Sequence, residues 1–354
     1  MTEIKQKLRE ALARLVLPDG GDLVSRDMIR ALSVENGVVR FVIEAPSPDI
    51  ARQMEPLRQA AERIVSELPE VNSASAVLTA HGKPAEPPNL KLGGHPKPQA
   101  GPMKPPGVKT ILAIGSGKGG VGKSTVSSNL AVALARVGKA VGLLDADIHG
   151  PSQPRMFGLT ARPASPDGKQ IIPLKAHGVT VMSIGSMLAE DKAVVWRGPM
   201  LMGALQQMLM QVDWGQLDVL IVDLPPGTGD VQLSLCQKSE VAGAIVVSTP
   251  QDVALLDARK ALDAFATLQT PVLGLVENMA VFTCPHCGGE SHIFGQGGVA
   301  SEAEKLGLPL LAQLPIDLET RLGGDAGTPV AAGQGPMADA YARLAARFIE
   351  GGLV

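Results

Sequence analysis

The chain has 354 residues, of which 45% are hydrophobic and 19% charged, and its formal net charge at pH 7 is -3. That length exceeds the roughly 100 to 200 residues of one domain, and the charge excludes the basic footprint of a dedicated nucleic-acid binder. No apolar run approaches the ~20 residues that cross a bilayer, and the N-terminal MTEIKQKLRE lacks a signal peptide's apolar stretch; a cytoplasmic protein is expected, with neither nucleic acid nor membrane as partner.

In chain order, Ile4, Leu8, Ala11, Leu12 and Leu15 recur at helical spacing, and Pro18 with Gly20 and Gly21 marks a stop, which predicts a helix over residues 2–16. MIRALSV and VVRFVIEA flank Glu35-Asn36-Gly37, a strand-turn-strand pattern in which Asn-Gly supplies the positive φ of a tight hairpin. A second helix over 49–67 and a strand over 75–79 complete a small α+β domain, residues 1–80. Residues 81–107 then carry eight prolines and five glycines with almost no large apolar side chain, the composition of an extended linker.

From residue 108 to 354 the rhythm changes. Short apolar runs (TILAIGS, AVGLLDAD, VTVMSIG, DVLIVDLP, GAIVVSTP, PVLGLVENM, PLLAQLP) alternate with helical stretches. Strands that read as continuous Val, Ile and Leu are buried on both faces, so the expected class is α/β, a mostly parallel sheet flanked by helices. Ligands of such sheets sit beyond the carboxyl ends of the strands, where the polar motifs of this chain fall.

Gly117, Lys118, Gly119, Gly120, Val121, Gly122, Lys123 and Ser124 fit G-x-x-x-x-G-K-[ST] between an apolar strand and a helix that opens with Thr125. The glycines let backbone N–H groups turn toward a β-phosphate, Lys123 neutralises the β- and γ-oxygens, and Ser124 offers its hydroxyl to Mg²⁺; ATP contacts are expected from Gly117 through Thr125. Asp223 ends DVLIVDLP in the position of a carboxylate that holds Mg²⁺, and Pro225-Pro226-Gly227-Thr228-Gly229 follows it. Asp145 and Asp147 close AVGLLDAD; at least one of them can orient the attacking water or hold the metal, and Asp147 is the expected catalytic one.

Cys284 and Cys287 form a C-x-x-C followed by Gly288 and Gly289, able to grip a metal or one edge of a cluster. A closed four-thiolate site needs two more, and Cys236 lies in the apolar stretch VQLSLCQK, where a cysteine is a small core residue. Two chains about a two-fold axis would supply four. Spacing alone is met equally by an iron–sulfur cluster and by zinc, the latter with His286 or His292; a dithiol redox pair fits less well, because no helix opens at the motif.

The segment GSGKGGVGKST resembles the deviant Walker A motif of the MinD/ParA class, whose extra lysine, here Lys118, reaches the partner's phosphates across a dimer. Together with DADIHGPS, VWRGPM, DWGQLDVLIVDLPPGTGD, STPQDVALLDARKA, ENMAVFTCPHCG and FGQGG, it resembles the Mrp/ApbC iron–sulfur cluster carriers over residues 108–350. That resemblance implies a homodimer bridging a [4Fe–4S] cluster through Cys284 and Cys287 of each subunit, ATP hydrolysis with Lys118, Lys123 and Asp147 as catalytic residues, and cluster transfer to recipient apoproteins. It further implies adenine contacts from Asn278 and Pro315. Residues 1–80 resemble the small MIP18-type domain; this one lacks the cysteine many members carry, so docking of recipients is its expected role. A MinD/ParA-like positioning ATPase with structural zinc is the alternative, and an electron-transfer protein resembling the nitrogenase iron protein is a second, although that family uses lone cysteines.

Overall fold

The computed structural model describes residues 2–15, 17, 20–35, 37–45, 50, 54–80, 103–148, 150–166, 168–187 and 198–354. The chain divides into two compact units, Met1–Glu86 and Pro87–Val354.

The small unit contains α1 (Thr2–Leu12), β1 (Ile29–Glu35), β2 (Val38–Ala45), α2 (Glu55–Ser66) and β3 (Ser73–Ala80). Strand β2 is central, antiparallel to β1 and parallel to β3. Its Val39, Phe41, Ile43 and Ala45 point to the core while Arg40 is exposed, the period-2 pattern of a sheet covered on one face. Leu8, Leu12, Ala61 and Val65 of the two helices supply the cover. Helix α1 stops at Leu12 rather than 16, because the Arg14 and Leu15 amides reach back only three residues, to the Ala11 and Leu12 carbonyls, in a tightened final turn. Helix α2 starts at Glu55, with Pro56 in the first turn, where a missing N–H costs nothing. Of its expected earlier start, residues 49 and 51–53 lie outside the described residues.

Residues 81–102 of the expected linker also lie outside the described residues. Residues 103–107, however, belong to the larger unit. Met103 is buried and its carbonyl accepts from the Glu240 amide at 3.2 Å, while the Gly107 carbonyl accepts from Leu217 at 2.9 Å.

The larger unit contains β4 (Val108–Gly115), α3 (Lys123–Arg136), β5 (Val141–Asp145), α4 (Gln153–Met156), β6 (Leu174–Ala176), β7 (Val179–Ser183), α5 (Gly198–Met210), β8 (Leu217–Asp223), α6 (Asp230–Lys238), β9 (Val241–Ser248), α7 (Asp252–Thr267), β10 (Val272–Thr283), β11 (Glu290–Ser291), α8 (Gly298–Leu306), β12 (Leu310–Ile316), α9 (Leu318–Ala326) and α10 (Pro336–Glu350). The seven apolar runs become seven mutually parallel strands in the order β12-β10-β9-β4-β8-β5-β7. Two short antiparallel pieces, β6 on β7 and β11 on β10, carry no such run. Along β4, Ile111 and Ala113 pack into one core with Phe265 and Val299, whereas Leu112 and Ile114 pack into the other with Leu130, Tyr341 and Phe348. Each fully buried aliphatic side chain there stabilises the fold by about 1.5–3 kcal/mol, which is why the central strands read as unbroken hydrophobic runs. Helix α10 turns Met337, Tyr341, Leu344 and Phe348 into this core. Among the described residues, no helix is long and apolar enough to cross a membrane.

Candidate functional site

The site forms where β4, β5 and β8, adjacent in the sheet, release their chains at the same edge. Between β4 and α3 runs the glycine-rich loop. Gly117 lies against helix α7 so closely that any Cβ would run into the Asp257 backbone. Gly122, the residue before α3, has φ 82°, and a Cβ on it would meet the Asn278 amide. Neither position accepts a side chain without displacing the loop.

The motif residues converge on one buried carboxylate. Asp223 is fully buried; its Oδ1 accepts from Lys123 Nζ at 2.7 Å and Ser127 Oγ at 2.8 Å, its Oδ2 from Gln153 Nε2 at 2.8 Å. Lys123 Nζ also lies 3.3 Å from Ser124 Oγ. Removing an ammonium and a carboxylate from water costs several kcal/mol each, and mutual attraction offsets that only with the help of further hydrogen bonds, which Ser124, Ser127 and Gln153 supply here. The pair is thus held by its neighbours rather than by charge alone.

Asp145, also fully buried, organises the next loop. Its Oδ1 accepts from the Asp147 amide at 3.1 Å; its Oδ2 accepts from the Ser152 and Gln153 amides and from Ser183 Oγ, each at 3.1 Å. Burial, and then the neighbouring Asp223 charge, raise its pKa from 3.8 to about 7, against the opposing pull of the Gln153 and Asp147 amides. Asp147 is only half-buried, and its Oδ1 accepts from the Gly150 amide at 3.2 Å, whereas Asp145 is spent on loop structure. Lys118 is half-buried, and its carbonyl accepts from Ser116 Oγ at 3.0 Å. The Gly227 amide ties the Pro225-Pro226-Gly227 turn to the Ser116 carbonyl at 2.8 Å.

Beside Gly122 and Thr125 opens a cavity of ≈ 570 Å³, within the range of small-molecule sites, whose walls include Asn278, Met279, Phe294, Pro315 and Tyr341. Asn278 and Pro315 therefore share one cavity with Gly122 and Thr125 at the end of the glycine-rich loop. The Asn278 amide nitrogen donates to the Val121 carbonyl at 2.9 Å, so this residue also braces the glycine-rich loop.

Strand β10 continues past Asn278 into the cysteine motif. Met279 takes φ 57°, and the register with β12 shifts between Asn278 and Phe282, so the strand bulges there before Phe282 pairs with Ile316 of β12. It returns as a hairpin: Phe282 pairs with Ser291 and Thr283 with Glu290. Cys284 and Cys287 occupy its tip, closed by Cys284 N to Gly289 O and Gly288 N to Cys284 O, both 2.9 Å, with Gly288 at φ 71°. Cys287 is exposed and Cys284 half-buried; backbone N–H groups of His286 and then Cys287 hold the Cys284 thiol below the usual cysteine range. His286 is exposed, and His292 Nδ1 lies 3.0 Å from the Ala280 carbonyl. Among the described residues no three His, Cys, Asp or Glu are grouped to hold a metal. Cys236 stands apart on α6, packed against the core, and burial pushes its thiol up.

Sequence reasoning missed two residues. Ser127 lies one turn beyond the motif it read, and Gln153 is a neutral amide in a loop; their contacts exist only because the fold brings residues 127, 153 and 223 together. Of the stretch VWRGPM, residues 195–197 lie outside the described residues.

A glycine-rich loop on a central parallel strand, its lysine paired with the aspartate of the neighbouring strand, defines a P-loop NTPase. The fold is that of MinD: the protein from Pyrococcus horikoshii, solved with Mg-ADP, superposes with a TM-score of 0.53 at 22% identity, over 69% of this chain and 98% of that one. A nucleotide-binding protein from Archaeoglobus fulgidus, solved with ADP, gives 0.57 at 39% identity, over 65% and 90%. The model of the NUBPL iron-transfer P-loop NTPases matches residues 107–349, and that of an iron-sulfur cluster assembly protein matches residues 5–76. The iron-sulfur cluster carrier protein of Helicobacter pylori is 42% identical over 335 residues, 92% of this chain and 86% of its own length. The chain belongs to the iron–sulfur cluster carrier family of P-loop NTPases.

Proposed function

We propose that the chain hydrolyses ATP and carries a [4Fe–4S] cluster as cargo between Cys284 and Cys287 of two copies, passing it to recipient apoproteins. The observation that carries this reading is one hairpin serving two sites. Its tip presents the two thiols, while its outgoing limb (Asn278, Met279) and its return (Ile293, Phe294) line the nucleotide cavity. Two thiolates are half of what a four-cysteine cluster needs, and a second copy supplies the rest. An exposed tip suits cargo that must leave.

For the nucleotide, Lys123 moves from Asp223 to the β- and γ-phosphates, whose charge it neutralises. Ser124 Oγ and the Asp223 carboxylate are hard oxygen donors of the kind magnesium takes. Gln153 Oε1, buried beside them without a partner, would be free to accept a hydrogen bond from a water held by such an ion. Magnesium bound there would screen the phosphate charge. Asp147 orients the attacking water, and Lys118 acts across the dimer on the partner's nucleotide. Asn278 and Pro315 bound the adenine end. Residues 1–80 form the recipient-docking domain, followed by a linker that ends before Met103. Three free cysteines suit a reducing compartment, which supports the reading of a cytoplasmic protein.

Cluster release to a chelator, followed with no nucleotide, with ADP and with ATP, tests the coupling. ATP should change the release rate of the reconstituted protein; identical rates in all three states would separate the two sites and favour the positioning-ATPase reading.

A further inference from the structure

We propose that Gln153 is a positioning residue that sets the spacing and orientation of the two magnesium donors, Ser124 and Asp223. The inference rests on the reading of those residues as the magnesium site. Gln153 is fully buried. Its Nε2 donates to two acceptors, Asp223 Oδ2 at 2.8 Å and the Ser124 carbonyl at 3.0 Å, and two acceptors on one nitrogen fix which end of the amide faces them. A single side chain therefore spans the strand that carries one donor and the helix turn that carries the other.

Its backbone is held as firmly, because the Gln153 amide donates to Asp145 Oδ2 at 3.1 Å. Asp145 also accepts from the Asp147 amide, so the loop bearing Asp147 is registered to the same two donors through Gln153. The arrangement matters most once nucleotide binds. When Lys123 turns to the phosphates, Asp223 Oδ1 loses its charged partner, and the Gln153 contact on Oδ2 then keeps the carboxylate from rotating. A role limited to satisfying Asp223 in the empty protein would not require the second bond to Ser124, and it would leave Oε1 without purpose at the edge of the metal site.

The experiment titrates Mg²⁺ against binding of a fluorescent ATP analogue to the full chain, for wild type and Gln153→Met, which keeps length and apolar bulk but cannot donate. A hydrogen bond to a charged group contributes about 1.5–3 kcal/mol, so the Mg²⁺ concentration that half-restores nucleotide affinity should rise at least ~10-fold. Affinity in EDTA should fall by a smaller factor than the Mg²⁺ midpoint rises. Should Gln153→Met fail to fold, Gln153→Asn retains the amide but is one methylene too short to reach Asp223, and the same shift is expected. An unchanged Mg²⁺ midpoint in a folded variant overturns the proposal, as does an equal loss of affinity with and without Mg²⁺, the mark of a merely structural role. If wild-type binding itself ignores Mg²⁺, it is the magnesium reading that fails, before any variant is compared.

Discussion

Strand β10 joins two regions built on opposite plans. At Asn278 it braces a buried hub in which Lys123, Ser127 and Gln153 all donate to Asp223. Six residues later, at Cys284, it reaches an exposed hairpin tip whose thiols meet no other grouped metal ligand among the described residues. The hub is complete within one chain and is preorganised, as phosphoryl-transfer sites must be, because their catalysis is positioning and charge. The tip is incomplete by construction, which suits a group that arrives, is shared and departs. The hub should therefore keep its fold through a single change, whereas a half-site should lose its cargo to one.

The largest expected effect is at the tip. Replacing either Cys284 or Cys287 with Ala removes two of the four proposed ligands in a symmetric dimer, and anaerobically reconstituted protein should lose most of its iron. Nucleotide affinity should be unchanged in the same samples, whereas Cys236→Ala should alter neither quantity. Iron retained by the double Cys284→Ala, Cys287→Ala variant would break the comparison at its weaker end.

Next comes Lys123→Ala, which strikes the hub at its only ion pair. Breaking a buried pair costs about 3–5 kcal/mol when the partner is left bare, but Asp223 keeps Ser127 and Gln153, so the loss of stability should fall at or below ~3 kcal/mol while ATP hydrolysis disappears. Wild-type hydrolysis by this variant would remove Lys123 from its role. Lys118→Ala should instead bind nucleotide and hydrolyse it slowly. Mixed with Lys123→Ala, it should regain hydrolysis in heterodimers; heterodimers without rescue would contradict action across the dimer.

The last effect shows only as a pH dependence and sharpens the comparison beside the hub. Asp145 has a folded pKa of about 7 against 3.8 for the free group, so the native chain holds a proton that the unfolded chain releases. The associated stability is full below pH 3.8 and is lost as pH rises toward 7, by at most about 1.4 kcal/mol per pH unit. Asp145→Asn carries a constant penalty for its mismatched amide but lacks this slope. Denaturant unfolding followed by tryptophan emission, which reports on the larger unit through the buried Trp214, should show the variant closing on wild type between pH 4 and 7. Parallel curves would mean that Asp145 is ionised throughout.

What was legible in the sequence divides along the same line. The glycine-rich loop, Asp223 and the seven parallel strands announce themselves because each needs a local pattern: positive-φ glycines, a strand-end carboxylate, an unbroken apolar run. The cysteine pair is legible as a spacing but not as a hairpin, since β11 is two residues long and carries no alternation. Gln153 is silent because its partners lie 29 residues before and 70 after it, a distance only the folded sheet closes. Met103, in a stretch dense with proline and glycine, reads as linker although it is buried; composition averages over a window, while burial is decided residue by residue. For Asn278 the family resemblance implies an adenine contact, and the structure adds its bond to the glycine-rich loop.

The central claim is that two half-sites share one cluster, and the most direct measurement is iron, sulfide and zinc content of anaerobically purified and reconstituted protein, set against its molar mass in solution. A bridged [4Fe–4S] cluster requires about two irons and two sulfides per chain in a dimer, with zinc absent and with monomer recovered when the cluster is stripped. About four irons per chain on a monomer, or stoichiometric zinc that iron cannot replace, would contradict it.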